Sequence, residues 1–269
     1  MSHPARIALV LGLLATGAGT GWLLASRTQD APPARGAEVI THGEWVAYAN
    51  ASGDTVRGYV AFPERQGRAP ALVVIHENRG LTDWEVSVAD AYAAKGYVAL
   101  APDLLSSRYG STRATADSAT RMIGTLTPAG VVADLHATFD FLAALPATDA
   151  ARIGTIGFCW GGQTVWRFAA NEPRLKAAVV CYGPMVDSTM LTTVQAPVLG
   201  VYGQNDGRVN NSLPMVARLM AGLGKSFVAD SYAGTGHGFL KPGRTGHGTE
   251  EAARAQRDID AFFRQHLNP

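Results

Sequence analysis

The chain has 269 residues, of which 47% are apolar and 17% are charged, and this size and composition suit one well-packed α/β domain of roughly 200–250 residues. Its formal net charge is +1, with Lys and Arg scattered along the sequence, so charge gives no reason to expect a nucleic acid or an acidic surface as partner. Its two cysteines, Cys159 and Cys181, are too few for a disulfide framework and lack the spacing of a zinc site.

The first 38 residues differ in composition from the rest of the chain. An apolar run from Ile7 to Ala25 follows Arg6, and a polar stretch with proline and glycine follows the run. This pattern predicts an export segment and linker at residues 1–38 and a single domain at residues 39–269. The run is also close to the minimum length of a transmembrane helix, so an uncleaved membrane anchor is the alternative to a cleaved signal peptide. We therefore expect export across the inner membrane, to a periplasmic or secreted location.

Short apolar runs begin at about residue 41. The first two, Trp45–Ala51 and Val56–Phe62, flank Ser52-Gly53-Asp54, which is typical of a β-hairpin turn. The remaining predicted strands are Ala71–Ile75, Val98–Ala101, Ile153–Phe158, Ala177–Cys181, Val198–Tyr202 and Phe227–Ser231. Segments able to form helices separate these runs, so the sequence predicts a mostly parallel sheet of about eight strands, covered on both faces.

Five segments between the strands are predicted to be helices. They are Trp84–Lys95, Ala129–Leu145, Gln163–Asn171, Leu213–Leu223 and Glu250–His266. Thr127-Pro128 marks the start of the second, because proline suits the first turn of a helix. The segment Leu105–Thr127 is rich in Ser, Thr and Arg and has no clear strand. We expect it to lie over the carboxyl ends of the strands, where ligands bind in open α/β sheets.

A candidate nucleophile stands between a predicted strand and a predicted helix. Gly157-Phe158-Cys159-Trp160-Gly161 has the G-x-nucleophile-x-G pattern of a nucleophile elbow, with cysteine in place of the usual serine. A helix N-terminus beside Cys159 favours the thiolate, which is the form that attacks a carbonyl carbon. The alternative is a small buried cysteine in a glycine-rich turn. The two glycines at these offsets favour the nucleophile.

An elbow of this type predicts an acid next along the chain and a histidine last, each in a loop after a later strand. Asp206 follows the strand Val198–Tyr202, and His237 follows the strand Phe227–Ser231. Taken alone, Asp206 is more typical of a turn carboxylate and His237 of a loop histidine, since both residue types are common on surfaces. Their joint order predicts a catalytic triad of Cys159, Asp206 and His237. The neighbouring His247 is interpreted as a surface-loop residue.

Taken together, several motifs resemble the dienelactone hydrolase family over about residues 41 to 268. They are His76-Glu77-Asn78-Arg79-Gly80, Ala101-Pro102-Asp103-Leu104, Gly157-Phe158-Cys159-Trp160-Gly161-Gly162, Gly203-Gln204-Asn205-Asp206 and His237-Gly238-Phe239. The resemblance implies an α/β-hydrolase fold and a carboxylic ester hydrolase that acts on a small-molecule lactone or ester. It implies no metal or organic cofactor.

The resemblance also implies roles for residues around the nucleophile. The family has a glutamate that helps to take up the cysteine proton, and Glu77 matches its position. The family's oxyanion hole uses two backbone N–H groups, which correspond here to Asn78 and Trp160. Such donors stabilise the developing charge by roughly 3 kcal/mol each. His76 is interpreted as a supporting residue behind this site.

Two basic residues hold a substrate carboxylate in the family, and Arg108 and Lys241 lie near the matching positions. The first loop is one residue longer than the family pattern, and Lys241 stands where arginine is expected. Lysine offers a point charge without the bidentate fork of arginine. Arg79 is a further candidate, and a surface position is the alternative for all three. The sequence therefore leaves open whether the substrate carries a carboxylate.

The triad predicts acyl transfer through a thioester on Cys159. We expect the protein to be a monomer. The nearest alternative is a general carboxylesterase or thioesterase on the same scaffold. A catalytically idle binding protein is an alternative from a different class, because fold does not fix activity. A peptidase ranks third. For Cys181 the alternatives are a plain buried cysteine, which we favour, and a redox partner of Cys159.

Overall fold

The computed structural model describes residues 42–111 and 116–269. The predicted export segment, its linker and the predicted boundary at residue 39 all lie outside these residues. Within the two described ranges, no helix has both the length and the apolar character needed to cross a membrane.

One eight-stranded sheet forms the centre of the described chain. The strands are β1 His42–Ala49, β2 Thr55–Phe62, β3 Ala69–Ile75, β4 Val98–Asp103, β5 Thr148–Phe158, β6 Ala177–Cys181, β7 Val198–Gly203 and β8 Phe227–Tyr232. Their order is β1-β2-β4-β3-β5-β6-β7-β8. β2 pairs antiparallel with both β1 and β4, and the other pairings are parallel. The predicted hairpin and mostly parallel sheet are confirmed.

Helices cover both faces of the sheet. They are α1 Asp83–Ala93, α2 Ser106–Tyr109, α3 Ala116–Ile123, α4 Pro128–Ala144, α5 Trp160–Asn171, α6 Gly207–Asn210, α7 Leu213–Gly222 and α8 Glu250–Leu267. Apolar side chains of α4, α5 and α7 form one core with the sheet, and those of α1 and α8 form a second core on the opposite face. Every residue of β3, β4, β6 and β7 is therefore buried, as expected for parallel strands between two helical layers.

The sequence and the structure differ mainly at the ends of elements. The predicted helix Gln163–Asn171 begins three residues earlier, at Trp160, and the strand predicted at Ile153 begins at Thr148. Short helices α2, α3 and α6 and a 3-10 helix at Ser188–Thr192 were not predicted. The described part of the segment Leu105–Thr127 contains α2 and α3 and no strand. Residues 112–115 of that segment are not described.

Candidate active site

Cys159 occupies a sharp turn between β5 and α5. Its backbone has φ 56° and ψ −112°, which is an uncommon conformation for a residue with a side chain. Its N–H donates a hydrogen bond of 3.0 Å to the carbonyl oxygen of Cys181, at the end of the neighbouring strand. The side chain is partly exposed. The turn therefore presents the thiol at the carboxyl edge of the sheet, beside a helix N-terminus.

The glycines of the elbow allow its backbone segments to approach closely. A Cβ atom at Gly157 would lie 2.3 Å from the carbonyl oxygen of Gly161. A Cβ atom at Gly161 would lie 2.4 Å from the carbonyl oxygen of Ile75 and 2.5 Å from that of His76. Both distances are far shorter than a normal contact, so any side chain would force the backbone apart. The glycines thus let α5 begin directly against the end of β3.

Asp206 and His237 are brought together with Cys159. Asp206 follows β7, and His237 lies in the loop after β8. His237 Nδ1 lies 2.5 Å from Oδ2 of Asp206, and the side chain of Cys159 is close enough to the same ring to raise its pKa. Since Nδ1 is occupied by Asp206, Nε2 is the nitrogen available to the thiol. The contacts run from carboxylate to imidazole to sulfur, in the order that nucleophilic catalysis requires.

The environment of His237 favours its protonated form. The hydrogen bond to Cys159 is the largest influence and that to Asp206 is a further one, and together they outweigh partial burial and raise the pKa of His237 to about 9. The imidazole is consequently protonated at neutral pH. A protonated imidazole can give its proton to a leaving group as a general acid.

Two backbone N–H groups belong to the segments that meet at the elbow. The N–H of Trp160 is at the first turn of α5, and the N–H of Asn78 is in the loop after β3. Among the described residues, neither N–H has a hydrogen-bond acceptor. The carbonyl oxygen of Asn78 accepts a bond of 3.0 Å from Oγ1 of Thr120, which ties this loop to α3.

His76 supports the same loop from behind. Its Nε2 accepts the N–H of Leu104 at 3.2 Å, so Nδ1 carries the proton and donates to the carbonyl oxygen of Glu77 at 2.7 Å. The fully buried imidazole also stacks on Trp160, with ring centroids 5.3 Å apart. His76 therefore fixes both the loop that carries Asn78 and the indole that follows the nucleophile.

Glu77 and Lys241 form a buried ion pair. Lys241 Nζ lies 2.9 Å from Oε2 of Glu77 and 3.7 Å from Oε1 of Glu85. The side chains of Glu77 and Glu85 are 4% and 0% exposed, and that of Lys241 is 17% exposed. The ammonium group also lies over the ring of Trp84, 4.6 Å from its centroid. Lys241 is thus already engaged by two carboxylates and an aromatic face.

The sequence model of the dienelactone hydrolase family matches residues 56–267, which is most of the chain. The chain belongs to the dienelactone hydrolase family. A Methylorubrum extorquens protein that carries the name carboxymethylenebutenolidase is 31% identical over 225 residues, which cover 78% of this chain and 77% of that protein. A Salmonella typhimurium protein of the same name is 31% identical over 229 residues, covering 80% and 84%.

Solved structures agree with this assignment. A dienelactone hydrolase structure from Klebsiella pneumoniae superposes with a TM-score of 0.77 at 26% identity, covering 84% of this chain and 99% of that one. The eight-stranded sheet with helices on both faces is accordingly an α/β-hydrolase fold. Family and fold together identify the protein as a dienelactone hydrolase-like hydrolase.

The two arginines proposed for substrate binding have other surroundings than Lys241. Arg108 donates to the carbonyl oxygen of Thr125 at 3.0 Å and lines a polar cavity of about 370 Å³. None of the three triad residues lines that cavity. Arg79 is exposed in the loop after β3. Arg108 and Lys241 thus contact different partners in the described structure.

Two residues near the triad have no proposed part in the chemistry. Cys181 is a free, fully buried thiol, and burial raises its pKa well above the ordinary value. A thiol that resists ionisation is a poor nucleophile and reacts slowly with oxidants. His247 is exposed, as a surface-loop histidine should be.

Sequence reasoning missed Glu85, which organises the loop that bears Glu77 and Asn78. Its Oε1 accepts the N–H of Glu77 at 3.3 Å, and its Oε2 accepts the N–H of Thr82 at 3.0 Å and the Thr82 hydroxyl. A signal was present, because Thr82-x-x-Glu85 is a capping box at the start of α1. The missing information was that the carboxylate also reaches back to the preceding loop.

Proposed function

We propose that the protein hydrolyses a lactone or other carboxylic ester with Cys159 as nucleophile, through a thioester intermediate. The observation that carries the proposal is that Asp206 bonds the His237 ring at 2.5 Å, while Cys159 lies beside the same ring and raises its pKa. A protein that only binds ligands has no use for a strained thiol, a protonated imidazole and an orienting carboxylate in series. The family assignment supports the same class of chemistry.

The first half of the reaction forms the thioester. The thiolate of Cys159 attacks the ester carbonyl carbon, and the carbonyl π electrons move to oxygen. The N–H groups of Asn78 and Trp160 stabilise that oxyanion, a contribution of roughly 3 kcal/mol per donor. When the intermediate collapses, the C–O bond to the alcohol breaks and His237 gives its proton to the departing oxygen. In a lactone the alcohol remains tethered to the acyl group.

The second half returns the enzyme to its starting state. The now neutral His237 removes a proton from water, and the resulting hydroxide attacks the thioester carbonyl. Collapse of the second tetrahedral intermediate breaks the C–S bond, releases the carboxylic acid and restores the thiolate beside the imidazolium. Asp206 holds the same tautomer and orientation of the ring in both halves. No redox partner or further reactant is required.

Glu77 is proposed as an additional acceptor for the Cys159 proton. Its carboxylate is nearly fully buried and is held by Lys241 at 2.9 Å. Glu77 therefore has to leave its contact with Lys241 before it reaches the thiol. His237 has no such restraint and is the first acceptor in this proposal.

For substrate class, we propose that neutral lactones and esters are accepted at least as well as substrates that carry a carboxylate. Lys241 already faces two buried carboxylates, and Arg108 lines a separate cavity. An incoming carboxylate would have to compete with Glu77 and Glu85 for the same ammonium. A neutral acyl group meets no such competition.

The test is hydrolysis of a dienelactone, a neutral lactone and p-nitrophenyl acetate by the full-length protein and two variants. Cys159→Ala should abolish turnover of every ester that the wild type cleaves. Cys181→Ala is the matched control, because it removes a buried thiol one strand away, and it should retain activity. Equal activity of Cys159→Ala and the wild type would refute the nucleophile, and a fully inactive wild type would favour the binding-protein alternative.

The relative rates test the substrate class. The wild type should not prefer the dienelactone over the neutral lactone by more than about tenfold in kcat/KM. A larger preference that disappears in Lys241→Met would refute the proposal that a substrate carboxylate gives no advantage. Comparison of p-nitrophenyl acetate with the neutral lactone separates a general carboxylesterase from a lactonase on the same preparation.

A further inference from the structure

Tyr182, the residue after β6, has a strained backbone next to the nucleophile. Among the described residues, only Cys159, Tyr182 and Asn268 have a positive φ without being glycine. Asn268 is the left-handed C-cap of α8, an ordinary place for asparagine. Tyr182 has φ 40°, and a bulky residue persists in such a conformation only where its surroundings hold it there. The two unusual backbones therefore belong to the nucleophile and to its neighbour across the sheet edge.

Backbone contacts explain how this conformation is held. The N–H of Tyr182 donates to the carbonyl oxygen of Val201 at 2.7 Å. The next residue, Gly183, passes so close to α5 that a Cβ atom on it would lie 2.2 Å from the carbonyl carbon of Gly162. The chain thus leaves β6 pressed against the first turn of α5. The position of the Tyr182 ring is consequently coupled to the elbow itself.

The ring of Tyr182 packs against both sides of the turn that carries the triad histidine. It meets the His237 ring edge to face, with centroids 5.3 Å apart and an interplanar angle of 64°. It also meets Phe239 edge to face, at 6.0 Å and 60°. Between these two residues Gly238 has φ 80°, which lets the loop double back. One aromatic ring therefore contacts both residues that flank this glycine.

The hydroxyl does not explain the presence of this side chain. Tyr182 is fully buried, and its hydroxyl has no hydrogen-bond partner among the described residues. Burial raises the pKa of this phenol well above its usual value, so it is neutral at all working pH values. Because an unpaired buried hydroxyl costs free energy, the benefit of the residue must come from its ring.

We propose that Tyr182 is a positioning residue whose ring holds the His237 imidazole in the one orientation that bonds Asp206 and Cys159 together. This inference rests on the proposed function of the triad. The His237 side chain is 32% exposed, so its solvent-facing side does not restrain rotation of the ring. The edge of Tyr182 supplies the restraint on the protein side, and Phe239 fixes the loop from which the histidine extends.

The pKa of His237 distinguishes loss of this restraint from simple loss of packing. The hydrogen bonds to Cys159 and Asp206 raise the pKa of His237 to about 9. An imidazole that is free to turn makes these bonds less often, so its pKa should fall towards 6.5, the ordinary value. Tyr182 does not carry any group proposed to bind substrate, so kcat should fall while KM stays nearly constant.

The experiment uses the full-length protein and three variants. Tyr182→Leu removes the ring, and Tyr182→Phe keeps the ring and removes only the hydroxyl. Phe139→Leu is the matched control, because Phe139 is an equally buried ring in the core on the opposite face of the sheet. NMR titration of proteins with 13C-labelled histidine gives the pKa of each imidazole, and loss of one signal in His237→Gln identifies the resonance.

In Tyr182→Leu we expect the pKa of His237 to fall by about one unit or more and kcat to fall at least about tenfold. Tyr182→Phe and Phe139→Leu should keep the wild-type pKa and a kcat close to that of the wild type. An unchanged His237 pKa in folded Tyr182→Leu, or an equal fall in Phe139→Leu, would overturn the proposal. The titration needs no substrate, so it tests the role of Tyr182 even if every ester in the panel proves inert.

Discussion

Lys241→Met tests the buried charge cluster beside the nucleophile. The substitution keeps an unbranched side chain of similar length over the ring of Trp84 and removes the ammonium. Glu77 then loses a partner at 2.9 Å, and Glu85 loses one at 3.7 Å. Both carboxylates are almost completely buried. The variant therefore leaves two buried negative charges without a counter-ion and with little access to water.

The expected cost follows from the burial of the pair. Removing one partner of a buried ion pair typically destabilises a protein by about 3–5 kcal/mol. Because Lys241 retains some exposure and Glu85 keeps its backbone and hydroxyl donors, we expect the lower end, about 3 kcal/mol. The double variant Lys241→Met/Glu77→Gln removes one of the two stranded charges. It should recover part of the loss, at least about 1 kcal/mol.

Equilibrium urea unfolding at pH 7 measures the effect as a change in midpoint at constant slope. Lys95→Met is the control, because Lys95 pairs with Asp260 at 2.8 Å with 37% of its side chain exposed. That surface pair should contribute less than about 1 kcal/mol. Similar losses in the two single variants, or no recovery in the double variant, would show that the cluster is not a buried ion pair in solution.

Two further predictions concern the triad and the elbow. Asp206→Asn removes one of the bonds that raise the pKa of His237 to about 9. The alkaline limb of the pH profile of kcat/KM should therefore move to lower pH, and kcat should fall at least about 10²-fold. An unmoved limb would contradict the assignment of Asp206 as the partner of His237. Gly161→Ala puts a Cβ atom 2.4 Å from the carbonyl oxygen of Ile75, so it should lower the free energy of unfolding by about 1–3 kcal/mol and abolish activity. Gly222→Ala is the control, because a Cβ atom there meets nothing within 4 Å, and it should leave the free energy of unfolding unchanged or slightly higher. An equal loss of stability in Gly222→Ala would mean that the close approach at Gly161 does not cause the destabilisation.

Much of the fold could be predicted because the central strands are buried on both faces. Ala177–Cys181 is an uninterrupted apolar run, and the structure gives β6 the same bounds. The early part of β5 was missed because Asp149 and Arg152 interrupt the apolar pattern, although Thr148 pairs with Ala69 of β3. Strand pairing between distant segments, rather than local hydrophobicity, extends this strand.

The start of α5 illustrates a local preference that tertiary structure overrides. Gly161 and Gly162 are poor helix formers, so sequence reasoning began this helix at Gln163. The structure places both glycines inside the first turn, where a Cβ atom on Gly162 would lie 2.6 Å from the carbonyl oxygen of Cys181. The cost to helix propensity is offset by the close approach of α5 to the strands. The same contact positions the N–H of Trp160.

For the site, chain order predicted which residues meet but not how they are supported. The order of Cys159, Asp206 and His237 follows from the elbow pattern, because strand ends of a parallel sheet share one edge. Nothing in the local sequence of Tyr182 announces a positive φ or a contact with a residue 55 positions later. The direction of Arg108 was equally inaccessible, since it depends on the short helix α2 turning that side chain towards Thr125.

The balance of charge around the nucleophile has a consequence for catalysis. Three buried carboxylates, those of Asp206, Glu77 and Glu85, surround two cations, Lys241 and the protonated His237. Lys241 is held by the two glutamates, so in the proposed mechanism His237 and the N-terminus of α5 are the groups that face negative charge on Cys159. In the proposed mechanism the oxyanion thus forms near two cations, Lys241 and His237, that are both already paired with carboxylates.

The proposed mechanism then requires that the oxyanion be stabilised by dipoles that do not depend on the surrounding charges. The N–H groups of Asn78 and Trp160 meet this need, since each is fixed by backbone packing: one through His76 and Glu85, the other through the glycine contacts of α5. A substrate that brings its own negative charge adds to an existing excess, whereas a neutral ester adds none until the transition state. Preorganised N–H donors are most effective for charge that appears only at that point, and this is the physical reason for expecting neutral acyl groups to be accepted here.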